Sequence, residues 1–446
     1  MNNVLIVFAL LTERLSCGKI RKKPEKSMKI KVVRKSFAEV RDLPAPKHKS
    51  PKKSLPALRL LMKTVGAGDL KDVSFKCNFI NIPSIPDEPC LVLMNHSAFI
   101  DLEIASSLFY PKPLAIVCTS DGLVGKEGLM RNLGCIPTNK FVTDPSLISD
   151  IGHAIRKNRT HVLMYPEASY TFDGCATPLP KHFGVFLKLL KAHVMMITTH
   201  GAFLRDPLYN MLQKRKVHVE ADVKMLFTAD ELKAKKADEI DDIVEKEFTF
   251  DGFGWQKEQG VEITEPFRAD GLERILYKCP VCGAEGRTKG EGTHLKCSCG
   301  LDLELSPLGE LLPSNGEKVF AHIPDWYRWE REEVRKEIEN GEYDLSFDCR
   351  IIVFRDFKAV YDVGRGHLTH DVNGFTLTGE DGLEYHRSPT ACYSLYADYY
   401  WYEIGDMVCI GDNEMQFYCF PDEGSGVSVA KARLAAEEMY KLMRKK

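Results

Sequence analysis

The sequence has no long hydrophobic run. No stretch approaches the ~20 apolar residues that span a bilayer. The longest near the start, Val4 to Leu11, lacks a basic segment before it and a small-residue cleavage site after it, so a secretory signal is not expected. Met28 opens a second plausible start. Disulfide-framework spacing is also missing. Of 14 cysteines, four sit in a metal-binding pattern. The rest are scattered, and several (Cys118, Cys409, Cys419) lie inside apolar runs. This argues against a disulfide-stapled secreted fold and for reduced thiols in a cytoplasmic setting. No internal repeats are present. No charge sign dominates overall: 61 basic residues face 63 acidic ones, a net charge of −2. The distribution is uneven, however, because residues 1–65 hold 17 Lys and Arg against 4 Asp and Glu. Such a basic arm suits an anionic membrane surface, which would hold each basic residue with roughly 1 kcal/mol. The competing reading is a solvated tail.

At 446 residues, the usual ~100–200 residues per domain imply two to four domains. A hydrophobic content of 44% and a charged content of 28% suit a globular chain with sizeable cores. Residues 28–55 are rich in Lys and Pro and read as flexible. Leu55 to Lys63 has one apolar helical face, fit for a membrane interface or for packing on the next domain. From about 88 to 225, short apolar strands alternate with helical patterns. Strands are expected at 90–94, 114–118, 161–165, 194–199 and 216–223, and helices near 101–109, 145–157 and 182–192. That alternation predicts an α/β domain whose central, mostly buried sheet is flanked by helices. Thr228 to Glu231 has capping-box form and predicts one helix to about 247. Residues 271–305 are a Cys- and Gly-rich insert. Short strands then run from 345 to 420, and a helix is expected over about 427–444. Roughly seven strands closed by a helix resemble a pleckstrin-homology-type barrel. The expected divisions are an arm (1–54), an α/β domain (55–270), a ribbon (271–310) and a β-rich domain (320–446).

Two motifs carry chemistry in the α/β region. His96 and Asp101 lie five residues apart, where the apolar run Cys90 to Met94 gives way to a helical pattern. A carboxylate one turn into that helix can hold one imidazole nitrogen and leave the other free to take a proton. The second motif, Tyr165-Pro166-Glu167-Ala168-Ser169, follows the strand-like run His161 to Met164. Taken alone, His96 also fits a core histidine bonded to a backbone carbonyl, and Glu167 fits a capping carboxylate.

Together and in this order, the two blocks resemble the phospholipid/glycerol acyltransferase family, which includes the lysophosphatidic acid acyltransferases. The resemblance covers roughly residues 60–270. It implies transfer of a fatty acyl group from acyl-CoA or acyl-carrier protein to a lysolipid hydroxyl, with 1-acylglycerol-3-phosphate as the default acceptor. Asn95, His96 and Asp101 match the first block in full. His96 would be the general base and Asp101 its orienting partner, with no acyl-enzyme. Backbone N–H groups at the following helix start are candidates for the oxyanion. Glu167 and Ser169 inherit acceptor contacts by position. Lys140 stands where the family has a phosphate-binding Arg, and Lys181 and Gly184 match a later block. For both lysines a solvated surface position is the competing reading. The departures are Ala168 for Gly, Tyr170 for Arg, and no Pro within Val194 to Thr199. They leave the proton chemistry intact and put acceptor identity in question. The implied setting is peripheral, on the cytoplasmic face of a membrane. The alternative from another class is a non-catalytic lipid- or protein-binding scaffold that keeps the fold.

Cys279-x-x-Cys282-Gly283 and Cys297-x-Cys299-Gly300 form two cysteine knuckles separated by 14 residues. Four thiolates in this pattern predict a closed, structural zinc ribbon, with His294 as the substitute ligand. Basic and acidic residues are mixed around it, so no nucleic-acid surface is expected.

Overall fold

The computed structural model describes residues 30–314 and 319–444. Its first element corrects the expectation of a flexible arm. β1 (Val32–Arg34) pairs in parallel with Val360 to Asp362, more than 300 residues away. The helix Phe37–Arg41 follows, capped reciprocally by Ser36 and Glu39. Its Phe37 and Val40 are buried. Two apolar anchors and a capping box thus fix a segment whose Lys and Pro content reads as disordered. The rest of the arm crosses to the α/β domain, where His48 contacts Asp150 and Lys49 pairs with Glu127. Residues before 30, which hold the second start at Met28, lie outside the described part.

The helix Pro56–Asp72 packs on the α/β domain through Met62, Gly66 and Leu70. A Cβ at Gly66 would sit 2.9 Å from that of Glu103, so this helix and Ile100–Phe109 meet at a glycine. The seven-stranded sheet contains β2 (Lys76–Ile80), β3 (Cys90–Met94), β4 (Leu114–Thr119), β5 (Cys135–Thr138), β6 (His161–Met164), β7 (His193–His200) and β8 (Glu220–Phe227). Their order is β2-β8-β7-β3-β6-β4-β5, and only β7–β8 is antiparallel. β3 is buried at all five positions, as a central strand covered on both faces must be. The last strand lies four residues beyond its expected start, because residues 216–219 serve as the approach to it. The single helix expected over 228–247 is two, Ala229–Ala234 and Ala237–Glu247. Lys235 and Lys236 are extended between them, and Glu239 caps the second through the Lys236 N–H.

The ribbon is a four-stranded antiparallel sheet: β9 (Thr288–Glu291), β10 (His294–Cys297), β11 (Asp302–Leu305) and β12 (Leu311–Pro313). The long helix Ile323–Asn340 leads to the C-terminal sheet. Its strands are β13 (Leu345–Phe354), β14 (Val360–Asp371), β15 (Gly374–Gly379), β16 (Glu384–Arg387), β17 (Tyr396–Trp401), β18 (Gly405–Gly411) and β19 (Gln416–Pro421). Seven strands and the helix Val429–Met443 match the expected count. β13 pairs with β19, joining two meanders, and β16 and β17 are the edges. One hydrophobic core runs from Phe37 through Tyr170, Cys279, Leu303 and Trp326 to Ile351 and Leu434. The expected divisions are therefore joined through a shared interior.

That joint governs the site. The C-terminal sheet and helix lean on three loops of the α/β domain. Trp401 Nε1 and Tyr418 OH both donate to Asp121. Asn413 and Arg387 donate to the Thr143 and Phe141 carbonyls. Tyr393 OH donates to the Pro166 carbonyl, and Arg433 to that of Tyr170.

Candidate active site and candidate metal centre

His96 sits two residues past the end of β3. Its Nδ1 lies 3.3 Å from Asp101 Oδ2, with Asp101 fully buried on the helix Ile100–Phe109. The Ser97 and Ala98 N–H groups donate to the same carboxylate oxygen at 2.8 and 3.0 Å, and Thr199 Oγ1 donates to the other at 3.1 Å. Asp101 is thus fixed before it meets the imidazole. Nε2 is the ring nitrogen left for a substrate. The imidazole stacks on Tyr165 at 3.8 Å between centroids and lies 4.3 Å from the tilted ring of Tyr170. Only 16% of the His96 side chain is exposed, and that part faces a cavity of about 430 Å³.

Asn95 is buried and is not part of the cavity lining. Its Oδ1 accepts from the Thr199 N–H at 2.8 Å and its Nδ2 donates to the Thr199 carbonyl at 3.1 Å, clamping the end of β3 to β7. Glu167, expected at the acceptor, is also turned inward. One oxygen accepts the His96 N–H at 3.0 Å; the other accepts the Thr177 N–H and hydroxyl at 2.8 and 2.9 Å. It is fully buried and holds the two motifs together. Of the N–H groups just after His96, where sequence looked for oxyanion donors, those of Ser97 and Ala98 are therefore taken by Asp101, and the N–H of His96 itself is taken by Glu167. Ser169 is buried, and its Oγ finds no hydrogen-bond partner among the described residues. Gly184 lies away from the cavity wall. Its N–H donates to Asp241, and a Cβ there would meet the Ala237 carbonyl oxygen at 2.2 Å, so close helix packing explains the glycine. Lys140 and Lys181 do line the cavity. Lys140 lies 4.2 Å from the Tyr396 ring, and burial lowers its pKa to about 8 despite Asp398 and Asp121 nearby.

Sequence reasoning missed Thr199, Thr177 and the two tyrosines as partners of the dyad. Tyr165 stands inside the second motif, so its position was a signal. Thr199 had none, because only the parallel pairing of β3 with β7 brings it there.

Burial keeps His96 neutral well below its usual range, and the charge of Lys140 adds to this. Burial also lifts Asp101 to about 7, outweighing the hydrogen bonds from Ala98, Ser97 and Thr199. The two groups touch, so they titrate as a pair. Above about pH 7 the pair is an ionised carboxylate and a neutral imidazole, able to accept a proton. Below it the pair takes up a proton and the base is lost. Turnover is expected to plateau above pH 7 and fall about tenfold per pH unit below it. A pH–rate profile whose acid limb lies near the ordinary aspartate value of about 4 would contradict this.

A family model described as Acyltransferase matches residues 76–200. This chain carries an acyltransferase domain. The matched span holds both motifs and ends before the ribbon and the C-terminal sheet. No curated protein matches the sequence. Among solved structures, the 1-acyl-sn-glycerophosphate (LPA) acyltransferase PlsC of Thermotoga maritima is similar to 43% of this chain and 78% of its own, at 14% identity and a TM-score of 0.32.

Outside the acyltransferase domain, the Sγ atoms of Cys279, Cys282, Cys297 and Cys299 lie within 4.8 Å of one another. Cys279–Cys299 and Cys282–Cys297 are each 3.8 Å apart. Tetrahedral zinc with Zn–S bonds of about 2.3 Å spaces its sulfurs by about 3.8 Å, so the donor set fits that ion. Gly283 and Gly300 follow the knuckles at φ of 70° and 103°, where a side chain would strain the turn. His294 lies outside the set and bonds Asp302 at 2.7 Å. The ribbon is wedged against the helix Ile323–Asn340: the Lys278 N–H donates to Glu330 at 2.8 Å and Trp326 Nε1 donates to the Lys278 carbonyl at 3.0 Å.

Proposed function

We propose that this protein moves a fatty acyl group from an acyl thioester, on CoA or an acyl-carrier protein, to the hydroxyl of a lysolipid. The observation that carries the reading is the placement of the buried His96–Asp101 pair at one amphipathic cavity. Its wall is largely apolar, with Ile116, Val117, Leu147 and Met164, and it also presents Lys140, Lys181 and Arg444. Acyl chain and anionic head group each find a matching surface. His96 Nε2 takes the proton as the acceptor oxygen bonds the thioester carbonyl. The tetrahedral intermediate collapses, the C–S bond breaks, and the proton passes to the leaving thiolate. Asp101 holds the tautomer and stabilises the imidazolium. Phosphate on the acceptor suits the cations, so 1-acylglycerol-3-phosphate is the default. A scaffold with no chemistry would have no use for an orienting carboxylate held by three hydrogen bonds. The test is thioester consumption with a panel of lysolipids. Absence of transfer to every member would overturn the reading.

The four-cysteine site would hold structural zinc. The ion would cross-link the two knuckles and stiffen the ribbon against the helix Ile323–Asn340. Among the described residues no helix is long and apolar enough to cross a membrane. Peripheral contact fits the exposed Leu55 and Leu60, which stand beside exposed Lys52, Lys53 and Lys63. Apolar insertion and cationic attraction would then act together. Leu60→Glu is expected to weaken sedimentation with anionic vesicles severalfold, and raised salt to weaken the wild type. Salt-independent binding would refute the electrostatic part.

A further inference from the structure

The C-terminal sheet and helix take no part in the proton chemistry, yet they form one side of the cavity at His96. Cys392 and Tyr393, from the loop before β17, line it with Tyr440 and Arg444 at the end of the last helix. The charge of that lining is one-sided. Among the described residues no carboxylate faces the cavity, although the chain holds more acidic residues than basic ones. Three basic side chains do face it, Lys140, Lys181 and Arg444, one from each of three separate segments.

Their partners are also unusual. Lys181 Nζ lies 5.7 Å, and the Arg444 guanidinium 4.7 Å, from the ring of the same tyrosine, Tyr440. Neither has an ion pair with any described carboxylate. An aromatic face holds a cation through its quadrupole and accepts no strong hydrogen bond, so the N–H groups stay open to a ligand. Tyr440 itself is buried and gives both cations a fixed seat. Two cations gathered without a counter-charge repel each other, and an anion between them removes that cost.

We propose that Lys181 and Arg444, seated on Tyr440, form an anion subsite for a substrate phosphate, so that the C-terminal helix completes the substrate cavity. The inference rests on the acyl-transfer reading and deepens it. The phosphate belongs either to the acceptor head group or to the CoA of the donor. Both present the same oxygens to these side chains.

The experiment compares wild type with Arg444→Ala, Lys181→Ala and Arg444→Lys. Arg444 and Lys181 are exposed, so their loss leaves the core intact. Initial rates are measured with 1-acylglycerol-3-phosphate and with monoacylglycerol, and with acyl-CoA and acyl-pantetheine. Loss of one charged hydrogen-bonding group should raise KM for one phosphate-bearing substrate about tenfold, with kcat nearly unchanged. The advantage of that substrate over its phosphate-free counterpart should shrink by the same factor, and Arg444→Lys should recover part of it. A shift confined to the acceptor assigns the head group; one confined to acyl-CoA assigns the donor. Calorimetric titration of 1-acylglycerol-3-phosphate and of CoA provides a readout without turnover. Weaker binding by the variants, in a wild type that shows no transfer, would sustain the subsite and sink the acyl-transfer reading. Unchanged KM values and identical titration curves would overturn the subsite.

Discussion

His96→Ala lowers the rate of thioester consumption with a lysolipid acceptor by about 10²–10⁴-fold, the range for removal of a general base. The loss should fall on kcat rather than KM, because imidazole acts on the proton that moves in the transition state. Folding should be unaffected to a first approximation. His96 is held by its backbone N–H, which alanine keeps, and the buried Asp101 carboxylate that loses the ring still accepts from Ser97, Ala98 and Thr199. Asp101→Asn is the informative companion. The Ser97 and Ala98 N–H groups keep its amide oxygen at the Oδ2 position, where it still accepts from His96 Nδ1, and its NH2 then faces the Thr199 hydroxyl. The tautomer is kept, but the negative charge that stabilises the imidazolium is gone, and a large loss follows without removal of the base. Equal rates in wild type and His96→Ala, measured by thiol release, would exclude His96 as the base and return the site to the scaffold reading.

Cys282→Ser and Cys299→Ser should each lower stability by more than about 4 kcal/mol, the range associated with losing a structural metal ligand. Both residues are exposed while Cys279 and Cys297 are buried, so a serine at either outer position leaves no cavity. Any large effect therefore reports the metal. Zinc content should fall from one ion per chain to well below it, and prolonged chelation of the wild type should reproduce the loss. The damage should spread, because the ribbon bonds the helix Ile323–Asn340 at Lys278, Glu330 and Trp326, and Lys431 of the last helix pairs with Glu285 in the ribbon. Thermal denaturation with and without zinc gives the first result. A variant with unchanged metal content and unchanged melting would show that the four thiols hold no structural ion.

The sequence by itself determined what depends on neighbours along the chain. Alternating apolar runs and caps placed the strands of the α/β sheet, and the His96-x4-Asp101 spacing brought imidazole and carboxylate together across one helix turn. Two knuckles, each followed by a glycine, brought four thiols to one point. Tertiary structure decided everything that required a distant partner. Glu167 reads as a substrate contact in sequence and becomes a bracket in space, because its block folds back beneath His96 and its two oxygens satisfy buried N–H groups. Residues 30–54 read as disordered from their Lys and Pro content, yet Val32–Arg34 finds an open sheet edge contributed by residues 360–362. The far wall of the cavity had no local signature at all. Tyr440 and Arg444 stand some 340 residues after His96 in the chain, and only the burial of one continuous apolar core, which spans both domains, carries them to the site.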